Sequence, residues 1–211
     1  MGVNMEESAG SAVNETIRCI YARRSVRLFS DRPVSGHDLT MILEAANQAP
    51  SAHNQQTWRF SVLRDGPGRS RLTDSIRRRA GDFSRASSVL LRRAARSIAS
   101  AQVVVVVTNT GDLIHRGKEL TGSGEEAGSD IFHTMEVQSS AAAVENLLLA
   151  ATSLGIGSVW LGVLVLLQNE ILELVGEPAA ELAAVVALGY PAESTRAPEK
   201  APLDAITRYL D

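Results

Sequence analysis

Five consecutive valines, Val103 to Val107, followed by Thr108 and Asn109, constrain the fold of this chain more than any other feature. β-Branched side chains favour extended backbone, and a strand that is apolar at every position needs cover on both faces. The run therefore predicts an inner strand of a sheet with helices on each side. Leu182 to Leu188, stopped by Gly189-Tyr190-Pro191, predicts another such strand. Trp58 to Leu63 alternates well enough for a third strand and ends at the turn signal Asp65-Gly66-Pro67-Gly68. Ser158 to Leu161 reads as a short fourth strand that reaches Gly162.

Helical spacing fills the intervals. Asn14 offers an N-cap to a short helix with Ile17, Ile20 and Tyr21 on one stripe, where Cys19 packs as a small hydrophobe. Ser35 with Asp38 resembles a capping box ahead of Leu39, Ile42, Leu43 and Ala46. Arg69 to Arg79 and Arg85 to Arg96 read as two helices broken at Gly81-Asp82, and Gln168 to Val175 as a short helix closed by Gly176. A long helix is expected from Asp130 to the glycines at 155 and 157. It is apolar nearly all round, which calls for burial against another subunit. Residues 110–129 show no convincing period and are expected to form a lid or mobile segment. Leu203 to Leu210 is a last amphipathic piece. Strands alternating with helices make the class mixed α and β.

The 211 residues suit one domain, residues 15–211, behind a flexible arm at 1–14. With 45% hydrophobic and 21% charged residues the composition is globular. The apolar runs fall short of a membrane span, and Glu6, Glu7 and Glu15 stand where a signal peptide needs a basic start, so a cytoplasmic protein with no membrane partner is expected. A single cysteine excludes an internal disulfide, a thiolate zinc site and a cysteine-ligated cluster. His37, His53, His115 and His133 have no metal-ligand spacing, and no glycine-rich phosphate loop is present. Residues 64–96 hold ten arginines against three aspartates, although the net charge is −3. With Phe83 as the one aromatic and apolar residues at helical spacing, a solvated helical face is preferred there over nucleic-acid binding.

Two stretches carry more polar chemistry than their local structure needs. In Arg23-Arg24-Ser25-Val26-Arg27, three guanidinium groups and a hydroxyl leave a helix together. Such a cluster is either plain surface charge or a phosphate clamp, since arginine's planar fork binds phosphate in bidentate fashion. Residues 49–60, Ala-Pro-Ser-Ala-His-Asn-Gln-Gln-Thr-Trp-Arg-Phe, place Ser51, His53, Asn54, Gln55 and Gln56 between a helix and a strand. A connector needs one or two such residues. The row either faces a ligand or ties down its own backbone.

Taken together, these stretches resemble the flavin-dependent nitroreductase family. The resemblance rests on the Arg23 to Arg27 cluster; on Ala49-Pro50-Ser51 with Asn54, Gln56 and Trp58; on Asn146 to Ala151 running to Leu154-Gly155-Ile156-Gly157-Ser158-Val159-Trp160-Leu161-Gly162; and on Ala187-Leu188-Gly189-Tyr190-Pro191. It implies an α+β fold, a central mixed and mainly antiparallel sheet surrounded by helices, in an intertwined homodimer. It also implies FMN at the subunit interface, with NAD(P)H as electron donor and a small-molecule acceptor such as a nitroaromatic or quinone in a ping-pong cycle. Relatives on the same scaffold act as specialised reductases, dehalogenases or flavin-consuming enzymes, and a flavin-binding module without turnover is a further alternative.

Carried over by motif, Arg23 and Ser25 hold the FMN phosphate with Arg24 nearby, and Arg27 sits by N1 and O2 of the ring. Pro50, Ser51, Ala52, Asn54 and Gln56 line the flavin of the other subunit. Leu161 and Gly162 lie along the ring with the Gly162 N–H near N5, and Lys200 and Arg196 return to the phosphate. No side chain is required as general acid or base. Thr57 and Lys200 stand where the family usually has proline and arginine, which predicts a looser turn before Trp58 and a point charge at the phosphate.

Overall fold

A computed structural model describes residues 14–64, 66–121 and 126–210, with the side chains of 118–129 excepted. Apart from Asn14, the expected N-terminal arm lies outside the described residues. The elements are α1 (Glu15–Ala22), α2 (Gly36–Asn47), β1 (Trp58–Leu63), α3 (Gly66–Arg79), α4 (Arg85–Ser100), β2 (Val103–Asn109), α5 (Asp112–Thr121), α6 (Glu126–Ser153), β3 (Gly157–Trp160), α7 (Gln168–Val175), β4 (Glu181–Gly189) and α8 (Leu203–Ile206). Short 3-10 turns occupy Ala52–Asn54, Ala80–Asp82 and Gly162–Leu167.

The sheet runs β1-β2-β4-β3 with every neighbour antiparallel. Beyond β3 the segment after α1 adds a parallel bridge, Ser25 to Ser158, so the sheet is mixed at that edge. The valine strand is an inner one, and its side chains divide by parity. Val104 and Val106 enter a core with α3, α4 and α7, while Val103, Val105 and Val107 enter a core with α2 and α6. All five are at most 1% exposed, so both faces are covered as the run predicts.

The helix signals hold locally. Asn14 Oδ1 accepts from the Ile17 N–H at 2.9 Å, and Ser35 Oγ accepts from the Asp38 N–H at 3.0 Å. The break between α3 and α4 falls at Ala80–Asp82. Cys19 donates to the Leu149 carbonyl at 3.1 Å. Burial, with Glu15 and Glu145 nearby, pushes its thiol up, which disfavours the nucleophilic thiolate.

The segment expected to lack a regular period is largely helical. Residues 112–121 form α5, and α6 begins at Glu126, four residues before Asp130. α5 is docked by tertiary contacts. The buried Glu136 accepts from the Leu113 N–H at 2.7 Å, and a Cβ added at Gly117 would lie 2.0 Å from the Phe132 ring. The final amphipathic piece is also shorter than expected, since only Leu203–Ile206 is helical.

His133 on α6 meets Glu181 of β4, Nε2 to Oε1, at 2.7 Å. That bond and the charges of Glu181, Glu136 and Asp130 raise the imidazole above its usual 6.5 against partial desolvation. A raised folded value means the pair stabilises fully below about pH 6.5 and is lost as pH rises through the folded value. Both partners are more than a third exposed, so the pair is worth no more than about 1 kcal/mol. Urea denaturation should therefore show His133→Gln less stable than wild type at pH 6 and nearly equal at pH 9. An equal deficit at both pH values would contradict this.

Candidate functional site

The Arg23 to Arg27 cluster is placed by an edge of the sheet. α1 closes with the Arg23 N–H on the Cys19 carbonyl, and the chain then runs extended beside β3, where the Val26 N–H donates to the Ser158 carbonyl at 2.9 Å. Gly157 permits this approach, since a Cβ there would stand 2.9 Å from Val26. Val26 and Phe29 turn into the core, and the arginines turn out. Arg24 donates to the Tyr21 and Arg23 carbonyls at 2.6 and 2.7 Å, which caps the C-terminal end of α1. Arg27 donates to the Ser25 carbonyl at 3.3 Å.

Around these residues lies a cavity of about 570 Å³ whose walls include Arg23, Arg24, Ser25, Arg27, Arg196 and Lys200. Five cations thus converge from two distant segments, with Glu145 of α6 as the one carboxylate on the walls. Glu145 approaches the Nε edge of Arg23 at 3.9 Å. The arrangement suits a multiply charged anion such as a phosphate monoester.

Arg27 also borders a second cavity of about 710 Å³. Its walls are Leu28, Val159, Trp160, Leu161, Gly162 and Val163 on one side and Leu90, Arg93, Ala94, Arg96 and Ser97 of α4 on the other, with Glu193 at the margin. Leu161 is buried, whereas Gly162 opens a 3-10 turn and has nothing within 4 Å of where its Cβ would stand. A flat ligand can therefore approach the backbone there directly. The sequence points to residues 64–96 as part of the pocket roof without naming the side chains on the α4 wall. Its signal was available: Arg93 occupies a position on the stripe Leu90, Ala94, Ser97, at i, i+3, i+4 and i+7, where an apolar residue is expected.

Pro50, Ser51, Ala52, Asn54 and Gln56 lie elsewhere. Their loop leads into β1, the edge opposite β3, and three strand spacings put about 14 Å between the two edges. Within one chain the two halves of the candidate set do not meet. The loop is held in a conformation that is uncommon for non-glycine residues, with positive φ at His53 (52°), Asn54 (54°) and Gln56 (49°). Its own groups hold much of it: Ser51 Oγ accepts from the Gln56 N–H at 3.1 Å, and Gln56 Nε2 donates to Asn54 Oδ1 at 3.1 Å. Ser139 of α6 anchors it by accepting from the Ala52 N–H at 3.1 Å.

The turn before Trp58 is firmer than Thr57 predicted. Thr57 is buried, its carbonyl accepts from the Thr110 N–H at 3.0 Å, and Trp58 Nε1 donates to Asn47 Oδ1 at 3.0 Å. Threonine here also leaves Gln56 free to adopt its positive φ, since a following proline would push it to extended backbone. His53 and Gln55 face a small cavity with Leu113, Arg116, Gly117 and Phe132, so α5 forms the roof over this loop.

A sequence model of the nitroreductase family matches residues 20–190. The chain belongs to the nitroreductase family. Among its relatives, an Archaeoglobus fulgidus protein provisionally named NADH dehydrogenase/NAD(P)H nitroreductase is 35% identical over 182 residues, 85% of this chain and 87% of the relative. A nitroreductase from Bacteroides fragilis, crystallised with bound FMN, superposes with a TM-score of 0.70 at 26% identity, over 94% of this chain and 100% of its own. A BluB-like flavoprotein from Clostridium difficile superposes with a TM-score of 0.76 at 25% identity, also over 94% of this chain and 100% of its own. The antiparallel sheet wrapped by helices is the nitroreductase fold expected from the sequence. Among the described residues no helix is long and apolar enough to cross a membrane.

Proposed function

We propose that this nitroreductase-family chain binds FMN and passes electrons from NAD(P)H to nitroaromatic, quinone or related acceptors by a ping-pong cycle in the cytoplasm. The observation that carries the reading is the junction of the two cavities at Arg27. One offers five cations to a phosphate dianion, and the other offers a largely apolar slot with an open backbone at Gly162 to a flat ring. FMN has these two parts joined by a short polar chain, so the residues present fit it. When bound, it supplies the hydride and electron chemistry that protein side chains lack.

The chain's own residues bind, orient and tune. Arg23, Lys200 and Arg196 neutralise the phosphate, with Ser25 as a hydroxyl donor and Arg24 completing the wall. Arg27, with Arg93 across the slot, would place positive charge at the electron-rich edge of the ring, which favours the reduced form. The Gly162 N–H would serve as a backbone donor to the ring's reactive nitrogen.

The loop of Pro50, Ser51, Ala52, Asn54 and Gln56 joins the site from a second copy of the chain. Two observations favour this homodimer. The loop and the cation cluster occupy opposite sheet edges, and large apolar side chains stay exposed on α1 (Ile17, Ile20, Tyr21), α6 (Ile131, Val137) and the tail (Leu203, Ile206, Tyr209, Leu210).

The visible spectrum of the purified protein tests the reading. Flavin absorbance that NAD(P)H bleaches anaerobically, and that an acceptor restores, is expected. A colourless protein that FMN does not reconstitute would overturn it.

A further inference from the structure

The flavin reading leaves most of α4's charge unexplained. Arg85, Arg92 and Arg96 are exposed at i, i+7 and i+11, one stripe of the helix, spanning about 17 Å at a rise of 1.5 Å per residue. The stripe begins at the larger cavity, since Arg96 lines it, and leads away from it toward the start of α4. α4 contains no acidic residue, and none of these arginines joins an ion pair among the described residues. On α3, by contrast, Arg77 pairs with Asp74, and Arg79 pairs with Asp82 and Glu170.

Such a stripe works against its own helix. Arg92 and Arg96 repel at i, i+4, and Arg85 stands in the first turn, where the helix dipole disfavours a cation. An extended anion lying along the stripe removes both penalties. Resting on the flavin reading, we propose that Arg85, Arg92 and Arg96 form the phosphate track for the dinucleotide donor and give it a preference for NADPH over NADH. The donor's nicotinamide has to stack on the face of the flavin turned away from Gly162, so the remainder of the molecule leaves over the cavity rim. Arg96 stands on that rim and meets the pyrophosphate. Arg92 and Arg85, farther out, meet the adenosine end, where NADPH carries an additional phosphate.

The test uses FMN-loaded protein in anaerobic stopped flow, comparing wild type with Arg85→Glu/Arg92→Glu and with the neutral Arg85→Gln/Arg92→Gln. NADPH, NADH and reduced nicotinamide mononucleotide serve as donors. The half-saturating NADPH concentration should rise about tenfold or more in the charge-reversed pair at low salt, and less in the neutral pair. NADH should be affected less than NADPH, and the mononucleotide least. The salt slope for NADPH should flatten in both variants.

Equal NADPH saturation in all three proteins would overturn the track. An equal loss with the mononucleotide would do the same, because that donor lacks the adenylate. Binding of a single-stranded oligonucleotide that is abolished by the same changes, with NADPH unaffected, would reassign the stripe to nucleic acid. Flavin occupancy distinguishes failure of flavin binding from failure of the track. If wild type retains no flavin, or its flavin is reduced by neither dinucleotide, the flavin reading falls and the track with it. If flavin is bound and reduced alike in wild type and variants, the track alone falls.

Discussion

Arg23→Ala is expected to lose FMN affinity by roughly tenfold to a hundredfold, the equivalent of the ~1.5–3 kcal/mol typical of a hydrogen bond to a charged partner. Arg23 is the cation best placed for this role. Its side chain is about a quarter exposed, and its Nε edge faces Glu145 at 3.9 Å, which leaves the terminal fork to an anion in the cavity. Arg24 is committed to two carbonyls of α1, and Arg196 and Lys200 sit in an exposed tail. Fluorescence titration with FMN measures the loss directly, and Arg23→Lys should recover only part of it because an ammonium lacks the fork. Unchanged affinity in Arg23→Ala would remove Arg23 from the phosphate site.

Gly162→Val should separate folding from cofactor retention. An added Cβ meets no protein atom within 4 Å, and the backbone there does not have the positive φ that favours glycine. Folding stability should therefore stay near wild type, within the roughly ±0.5 kcal/mol usual for surface changes. The side chain would stand where the ring is proposed to lie against the backbone. Overpacking of that kind costs about 1–3 kcal/mol or more, so flavin occupancy after desalting should fall about tenfold or further. Absorbance ratios and a melting curve on one preparation read both effects. Full flavin content with an intact fold would mean that the space beside Gly162 is not where the ring lies.

Much of the fold is legible in the sequence because its signals are local. The valine run names an inner strand, Asn14 and Ser35 name helix starts, and Gly176 marks the end of α7. α5 is not legible in this way. Its helix depends on Gly117 fitting under Phe132 and on Glu136 reaching the Leu113 N–H from α6, contacts that no window of neighbouring residues contains.

The candidate site divides along the same line. Arg23, Ser25 and Arg27 are close in sequence, and one extended segment along β3 presents them together. The α4 wall comes from residues some seventy positions later in the chain, so the sequence marks residues 64–96 as part of the pocket roof but does not single out Arg93 or Arg96 among their ten arginines. The loop at 50–56 is ambiguous for a different reason. It does bind its own backbone, as Ser51 and Gln56 show, and it still leaves His53 and Asn54 exposed.

Mixed-subunit complementation tests the shared site most directly. Arg23→Ala spoils the phosphate half of a site, and the pair Asn54→Ala/Gln56→Ala spoils the half given by the partner's loop. Each parent should retain little FMN. Differently tagged chains of the two kinds, co-expressed and purified as the mixed species, should hold FMN at one of their two sites, because one site then draws its arginine and its loop from unaltered segments. If the mixed species retains no more flavin than the average of its parents, the site is not shared between subunits, and the account is contradicted.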